Sequence, residues 1–504
     1  MKRLLTAPAL LLAAATLAMA ASGCGGAAAG SGGHAFGDAA KAVPANSLAF
    51  VDVNLDHSSA AWQQAQEVGR RFPSWSRFVT SVQREIDKPS DGLRYSRDIQ
   101  PWLGGEAGVA VTGVDISSSA HPVDFMAFAA VKDDGAASKA VSKGSTAAGS
   151  FDGFSIFRDR KSATLAAVGH NALLFSNDMA TLHNAANAWT GDAPRLADVS
   201  SYTHAMSALP ADSLVTAYVD AHRLSSLVSL AALSQLHAQV PGAPNPFGAM
   251  TKVFSGIDSI SGALGADDGG FRLTFNVTPA PGHTLPAALT TVGDSAPVLM
   301  DRVPASAFAY LGEALPSFSR GLGGTKMQTF QQVPQLAALA PLLTGQVAAY
   351  AAPGMPVTGA VLLAPDHLSA ALAAMPKLTA ELGAAEHVHF HWLPGHRGQV
   401  AQVGPGIRIG WRRVGDTIVI SNDPSAGAVQ SAGLGTSDAF TAFAHQAGIP
   451  GRVSSLFYLD VHRLMGAIPG VPANPDAAHL GGVALWSSVD SSGAHFSAYL
   501  QVTK

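Results

Sequence analysis

The chain has 504 residues, of which 47% are hydrophobic and 13% are charged, and its formal net charge is −4. A chain this long and apolar can bury more than one core of the usual ~150-residue size, which excludes a protein that is disordered by composition. The slightly negative charge excludes the strongly basic surface that is typical of nucleic-acid binding.

The first residues are typical of a bacterial lipoprotein signal peptide. Lys2 and Arg3 give a positive n-region, and residues 10–20 give a short apolar h-region. Residues 21–24, Ala-Ser-Gly-Cys, then resemble a lipobox, in which the cysteine is lipidated and becomes the mature N-terminus. Ala21 stands where leucine is usual. An ordinary secretory signal, cut at the same alanines, is the alternative interpretation.

Cys24 is the only cysteine in the chain, so no internal disulfide can form and the thiol can carry diacylglycerol and palmitate. One acyl chain anchors a protein marginally, whereas two or three anchor it stably. No later segment reaches the ~18 uninterrupted apolar residues of a transmembrane helix. We therefore expect a signal peptide over residues 1–23, a flexible tether over 24–40, and a lipid anchor at the extracytoplasmic face of the cell membrane.

Residues 41–278 have the periodicity of a mixed helix and strand unit. Apolar residues at helical spacing predict two amphipathic helices over 58–87, with Pro73 at their junction. Asp267-Asp268-Gly269-Gly270 is typical of a hairpin turn. Strands are predicted at 49–53, 107–111, 125–131, 155–158, 164–168, 172–176, 213–219, 259–266 and 271–277, and further helices at 133–143, 179–189 and after 220.

A seven-residue pattern occurs twice, at 218–224 and 458–464, with Tyr, Asp, His, Arg and Leu at the same spacing. Asp220 and Asp460 each follow an apolar run, and we interpret both as helix N-caps. A catalytic Asp-His cluster is the alternative. Adjacent residues at a strand-to-helix corner point in different directions, however, and no nucleophile motif accompanies them.

The order of segments in the first half returns in the second, which indicates an internally duplicated protein. We predict an α+β fold of two tandem similar units of mainly antiparallel sheet with packed helices, at 41–278 and 297–504, facing each other as a pseudo-symmetric pair. A proline-rich linker would occupy 279–296, and a single shared core is the alternative. The matched segments are 43–48 with 303–308, 101–106 with 341–346, 173–178 with 418–423, and the two closing hairpins.

Two stretches of the first unit carry a family resemblance. Val-Pro-Ala-Asn-Ser-Leu-Ala-Phe-Val-Asp at 43–52 and Asp-Ile-Gln-Pro-Trp-Leu-Gly at 98–104 resemble segments of the bacterial family catalogued as domain of unknown function 3352. The resemblance covers nearly the whole mature chain, with Leu342 in place of the tryptophan in the second copy. Its members are mostly predicted extracytoplasmic or membrane-tethered proteins of actinobacteria. Because the family has no established activity, the resemblance implies a cellular location and an architecture, and it implies no reaction or ligand.

A row of histidines is the strongest candidate for chemistry. His387, His389 and His391 alternate with apolar residues, so in a strand they would share one face. Neutral imidazoles at this spacing can bind zinc or copper, and no other cofactor is expected. Glu386 would point to the other face, and residues 149–157 of the first copy contain no histidine. The solvated face of a half-buried strand is the alternative interpretation.

The sequence contains neither a G-x-S-x-G nucleophile elbow nor a G-x-x-x-x-G-K-[ST] phosphate loop. We therefore expect a non-enzymatic envelope protein that binds a protein partner or an apolar ligand. A cleft between duplicated halves and the low charge content would suit such a ligand. The alternative is a metal-dependent or hydrolytic enzyme that uses the histidine row.

Overall fold

A computed structural model describes residues 37–88, 93–114, 123–162, 164–226, 256–285, 298–315, 341–342, 344–354, 357–423, 433–467 and 474–504. The signal peptide, Cys24 and most of the tether lie outside these residues. The chain divides into two compact units, Met1–Thr284 and Leu285–Lys504. The division lies inside the segment predicted as a linker. Helices and mainly antiparallel sheet make the fold α+β, as the sequence predicts.

The described part of the first unit contains ten strands that pair only with antiparallel neighbours. Their order is β4-β5-β6-β7-β3-β2-β1-β8-β9-β10, so the chain enters at the centre of the sheet. The strands are β1 (Ala49–Asn54), β2 (Leu103–Val114), β3 (Val123–Val131), β4 (Ser145–Phe151), β5 (Phe154–Asp159), β6 (Leu165–Gly169), β7 (Ala172–Ser176), β8 (Val215–Asp220), β9 (Ile257–Asp267) and β10 (Gly270–Pro279).

Side-chain caps define where three of this unit's helices begin. Ser59, Asp133 and Asp178 each accept a hydrogen bond from the amide three residues ahead, which satisfies one of the free N–H groups of the first turn. The helices are α1 (Ala60–Arg70), α2 (Trp75–Ile86), α3 (Asp134–Gly144), α4 (Met179–Thr190) and α5 (Ser200–Ser207), followed by a helix that starts at Ala221.

Helices cover both faces of this sheet, because side chains alternate along each strand. One face buries Phe50, Met126 and Leu174 in a cluster that includes residues of α4 and α5. On the other face, α3 packs over Ala166 and Leu173, and a separate cluster joins α1 to β1 and β9.

The described part of the second unit has the same strand order, β14-β15-β16-β17-β13-β12-β11-β18-β19-β20. The strands are β11 (Ala309–Leu315), β12 (Gly345–Ala352), β13 (Thr358–Ala364), β14 (His391–Trp392), β15 (Gly398–Gly404), β16 (Ile407–Val414), β17 (Thr417–Ser421), β18 (Ser455–Asp460), β19 (Leu480–Val489) and β20 (Ala494–Val502), and the helices are α6 (Leu368–Glu386), α7 (Asp438–Ala447) and α8 (Val461–Ala467).

The repeated heptapeptides make the same contacts in both units. Asp220 accepts a hydrogen bond from the Arg223 amide at 2.8 Å, and Asp460 accepts one from the Arg463 amide at 2.9 Å. Each arginine forms an ion pair with its aspartate and donates to the carbonyl of Ala45 or Ala305 near the first strand of its unit. These Asp and Arg side chains therefore cap a helix and fasten it to the chain segment that enters the sheet.

The strand predicted over His387–His391 is wrong for most of its length. Helix α6 continues to Glu386 because residues 377–386 are mainly strong helix formers such as Ala, Leu and Glu. His387 ends the helix in the left-handed conformation, with φ 55°. Only His391 and Trp392 belong to a strand, β14, which pairs with β15.

Candidate functional site

An apolar pocket of about 490 Å³ lies in the first unit, on the sheet face that α3 covers. Four parts of the chain surround it: the end of α2, the π-helical turn Tyr95–Ile99, helix α3, and the strands β5 to β7. The lining residues are Ile86, Lys88, Leu93, Tyr95, Ile99, Trp102, Ala140, Val141, Gly144, Ser145, Asp159, Ser162, Thr164, Leu165, Ala166, Leu173 and Phe175.

The inner wall of the pocket consists of buried side chains that are held in place. The Trp102 side chain is 6% exposed, and its indole N–H donates to the carbonyl of Asp98 at 2.6 Å. Ala140 on α3 and Ala166 on β6 are small and buried, so space remains between the helix and the sheet. The pocket is therefore a consequence of small residues opposite a fixed tryptophan.

The polar lining residues are few. Lys88 forms an ion pair with Glu85, and both side chains are largely exposed. The Ser145 hydroxyl donates to the Val141 carbonyl at 2.6 Å. Asp159 Oδ1 accepts the amides of Lys161 and Ser162 at 2.7 and 2.6 Å, and these hydrogen bonds lower the pKa of Asp159.

The second unit has a tryptophan at the equivalent of Ala166. Ala166 pairs with Phe175 on β7, and Trp411 pairs with Ile420 on β17, which occupies the same place in its sheet. Trp411 is 4% exposed, and its indole N–H donates to the Gln399 side chain at 3.2 Å. It packs in a cluster with Leu342, the counterpart of Trp102. The indole therefore fills volume that is open beside Ala166.

A buried pair of acids, Asp52 and Glu106, lies on the opposite face of the first sheet. Asp52 is 1% exposed and Glu106 is 0% exposed, and Asp52 Oδ1 and Glu106 Oε2 are buried oxygens with no hydrogen-bond partner among the described residues. Glu106 Oε1 accepts the amides of Gly37 and Ala39 at 2.7 and 2.9 Å. Burial, and then the proximity of Glu106, raise the pKa of Asp52 well above its ordinary value. Burial raises the pKa of Glu106 as well, although the amides oppose that shift.

Two neighbouring carboxyl groups in a buried site cannot both ionise cheaply, so burial and mutual repulsion favour a state in which the pair holds one proton. We assign that proton to Asp52, because Glu106 accepts the backbone amides as a carboxylate. The strand pairings put Gly312 and Gln346 at the equivalent positions of the second unit. The acid pair thus belongs to the first unit, where it holds the residues that enter the fold.

The structure does not bring the three predicted metal ligands onto one strand. His387 lies at the end of α6 and His391 lies in β14, so with His389 between them the three do not share one strand face. Within the described ranges, no group of three or more His, Cys, Asp or Glu side chains could hold a metal ion. Cys24 lies outside the described residues, so the structure does not place the predicted lipidation residue. Among those that are described, no helix is long and apolar enough to cross a membrane.

The sequence patterns singled out neither the pocket nor the acid pair. The pocket's lining comes from separate segments between Ile86 and Phe175, and strand periodicity does not show which of them meet. A signal for the acid pair was available, since Asp52 interrupts an apolar strand on the same side as buried Phe50.

Comparison with protein families gives a clear relationship. A family model described as "Protein of unknown function (DUF3352)" matches residues 4–350, which is more than half of the chain. The chain belongs to the DUF3352 family. The match includes every described residue of the first unit and ends within β12, whereas the resemblance seen in the sequence extended over nearly the whole mature chain.

Comparison with curated proteins and solved structures adds little for this DUF3352 member. No curated protein matches the sequence. Crystal forms III and I of TP0453 match with TM-scores of 0.25 and 0.24 at 9% identity, covering 48% of this chain and 80% and 79% of theirs. Similarity at these TM-scores indicates neither a shared fold nor a shared function.

Proposed function

We propose that this DUF3352 protein is a lipid-anchored, non-enzymatic protein of the extracytoplasmic membrane face whose first unit binds an apolar small molecule. The observation that carries the binding proposal is the pocket beside Trp102 and Ala166. Its volume of about 490 Å³ lies in the range of ~300–1,000 Å³ that is usual for ligand sites, and its lining is mainly apolar. The alternative, a metal-dependent or hydrolytic enzyme, was based on a strand face shared by His387, His389 and His391, and the structure does not place them on one strand.

The location is proposed from the N-terminal sequence. Lys2 and Arg3, the apolar stretch 10–20 and the lipobox-like residues 21–24 together support an acylated Cys24. The Gly-rich tether would then place the folded units outside the membrane. A ligand that partitions into lipid would be available there.

The two units also support a proposal about origin. Their common strand order and the matching contacts of Asp220 and Asp460 support descent from one duplicated unit. The pseudo-symmetric pairing of the two copies is part of the same proposal.

Replacing Ala166 with Trp tests the binding proposal. Because Trp411 fills the same place in the second unit, we expect Ala166→Trp to fill the pocket and to reduce bound ligand at least tenfold. The readout is native mass spectrometry and lipid extraction of the protein purified from its membrane. The control is Ala147→Trp, since Ala147 is exposed on β4 and does not line the pocket.

Circular dichroism would establish that both variants are folded. The proposal requires an apolar molecule to be retained by the wild type and by Ala147→Trp. Wild-type protein that takes up no apolar molecule, or equal retention by Ala166→Trp, would contradict it.

A further inference from the structure

The polar side chains that line the pocket have an unequal balance of donors and acceptors. Lys88 carries three N–H donors and no acceptor, and Tyr95 and Thr164 carry hydroxyl groups that can donate. Asp159 is the one carboxylate among the lining residues. Its Oδ1 accepts the amides of Lys161 and Ser162, so one of its two oxygens is used within its own turn.

Charged residues of both signs lie beside this lining: Asp87 precedes Lys88, Asp98 precedes Ile99 and is paired with Arg97 and Lys143, and two cations follow Asp159. Arg160 and Lys161 are exposed and follow Asp159 in the turn between β5 and β6. The Arg160 amide donates to the Gly144 carbonyl at 3.3 Å, which holds this turn against the end of α3 at the pocket. Lys88 approaches from the end of α2, so positive charge is supplied from two separate parts of the chain.

The ion pair of Lys88 with Glu85 does not prevent Lys88 from binding a ligand. The two side chains are 62% and 70% exposed, and exposed pairs three residues apart on one segment are weak. An anionic group that is partly enclosed by the pocket would interact with the ammonium in a less hydrated place, where charge–charge attraction is stronger.

We infer that the ligand is an amphiphile with one apolar tail and an anionic head, with the tail beside Trp102 and Ala166 and the head beside Lys88. This inference rests on the proposed function, since it names the class of molecule that the same pocket takes. The anionic head can be a carboxylate or a phosphate, because both accept from an ammonium group and from hydroxyl groups.

A matched pair of probes tests the head group. cis-Parinaric acid and its methyl ester share one tail and differ in the charge of the head, and both can be followed by fluorescence in the full-length protein purified from its membrane, with the same detergent in every sample. We expect the acid to bind about tenfold more tightly than the ester, the size of one charge-assisted hydrogen bond. Lys88→Gln should remove that difference without changing the affinity for the ester. Lys88→Arg should keep it.

Lys139→Gln is the matched control, since Lys139 is exposed on α3 and does not line the pocket. Equal affinities for acid and ester in the wild type would overturn the head-group inference and leave an apolar-ligand function standing. Binding of neither probe would contradict the proposed function itself. A lysophosphatidic acid that displaces the acid more strongly than oleate does would identify phosphate as the preferred head.

Discussion

Asp52 and Glu106 form a buried acid pair in the first unit whose pKa values are both raised, and charged or ionisable neighbours lie close to it. Asp38 adds further negative charge, although Lys41 is paired with it at 2.7 Å. Burial, and then the two acids, raise the pKa of Tyr202, which places that phenol close to the pair. We therefore expect the ordering of residues 37–39, whose amides donate to Glu106, to be coupled to the protonation of the pair.

This coupling predicts how the first unit responds to pH. A raised pKa means that the folded chain holds a proton that the unfolded chain releases, so the contribution of Asp52 to stability is complete below its unfolded pKa of ~3.9 and is lost as pH rises towards the folded value. The loss amounts to at most about 1.4 kcal/mol per pH unit. Asp52→Asn, which is neutral at every pH, should remove this slope and stabilise the first unit at pH 8.

Hydrogen exchange of the β1 and β2 amides, corrected for the intrinsic pH dependence, measures this effect. Strands β11 and β12 serve as the internal control, because Gly312 and Gln346 occupy the equivalent positions. A wild type and an Asp52→Asn variant with the same pH slope in β1 would show that the pair does not share a proton.

Strands β6 and β16 occupy the same place in their sheets, but they differ in the size of one side chain that faces the covering helix. Ala166 leaves space under α3, whereas Trp411 fills the corresponding space under α6. We expect Trp411→Ala to destabilise the second unit by ~3–5 kcal/mol, as buried tryptophan truncations usually do, and to open a second apolar pocket. Native mass spectrometry should then show two bound ligands per chain.

Trp411→Leu removes less volume than Trp411→Ala, and it provides the test if the alanine variant is unfolded. We expect it to cost less stability and to bind a second ligand more weakly. One ligand per chain in two folded variants would show that the space beside Trp411 closes when the indole is removed.

Elements with clear periodicity could be predicted from the sequence, and those shaped by distant contacts could not. Helices α1 and α2 follow from the apolar stripe that includes Trp62 and Val79, and the closing strands follow from alternation around a hairpin turn. The strand prediction for residues 387–391 was wrong because alternation of polar and apolar residues over five positions also occurs where a helix ends. The pocket forms because the fold brings Lys88, Trp102 and Ala166 close together. Short-range sequence patterns do not show which distant residues become neighbours.

At the scale of the whole molecule, the proposed anchor can be tested separately from the folded units. If Cys24 carries the lipid, the mature protein should enter the detergent phase on Triton X-114 separation. Cys24→Ser should move it to the aqueous phase or block processing, because acyl chains supply the membrane affinity. The circular dichroism of the folded part should not change, since no disulfide is lost.

A Cys24→Ser protein that stays with membranes through a high-salt wash would contradict the anchor. An uncleaved signal segment or tight docking on another membrane protein would then explain the retention. Lys2→Gln with Arg3→Gln is a useful comparison, since it impairs targeting and leaves Cys24 unchanged.

The contacts of Glu106 have a mechanical consequence. Any force that reaches the fold through the chain before residue 37 acts first on the hydrogen bonds from Gly37 and Ala39 to Glu106. The next contacts in line are those of Val43 and Pro44 with Leu196 and Arg195, at the edge of the α5 region. Force reaches strand β1 only after these contacts have broken one after another. We therefore expect the segment that begins at Gly37 to detach under tension before the sheet behind it loses its register, at the cost of exposing the buried side chains of Ala39, Ala40 and Val43.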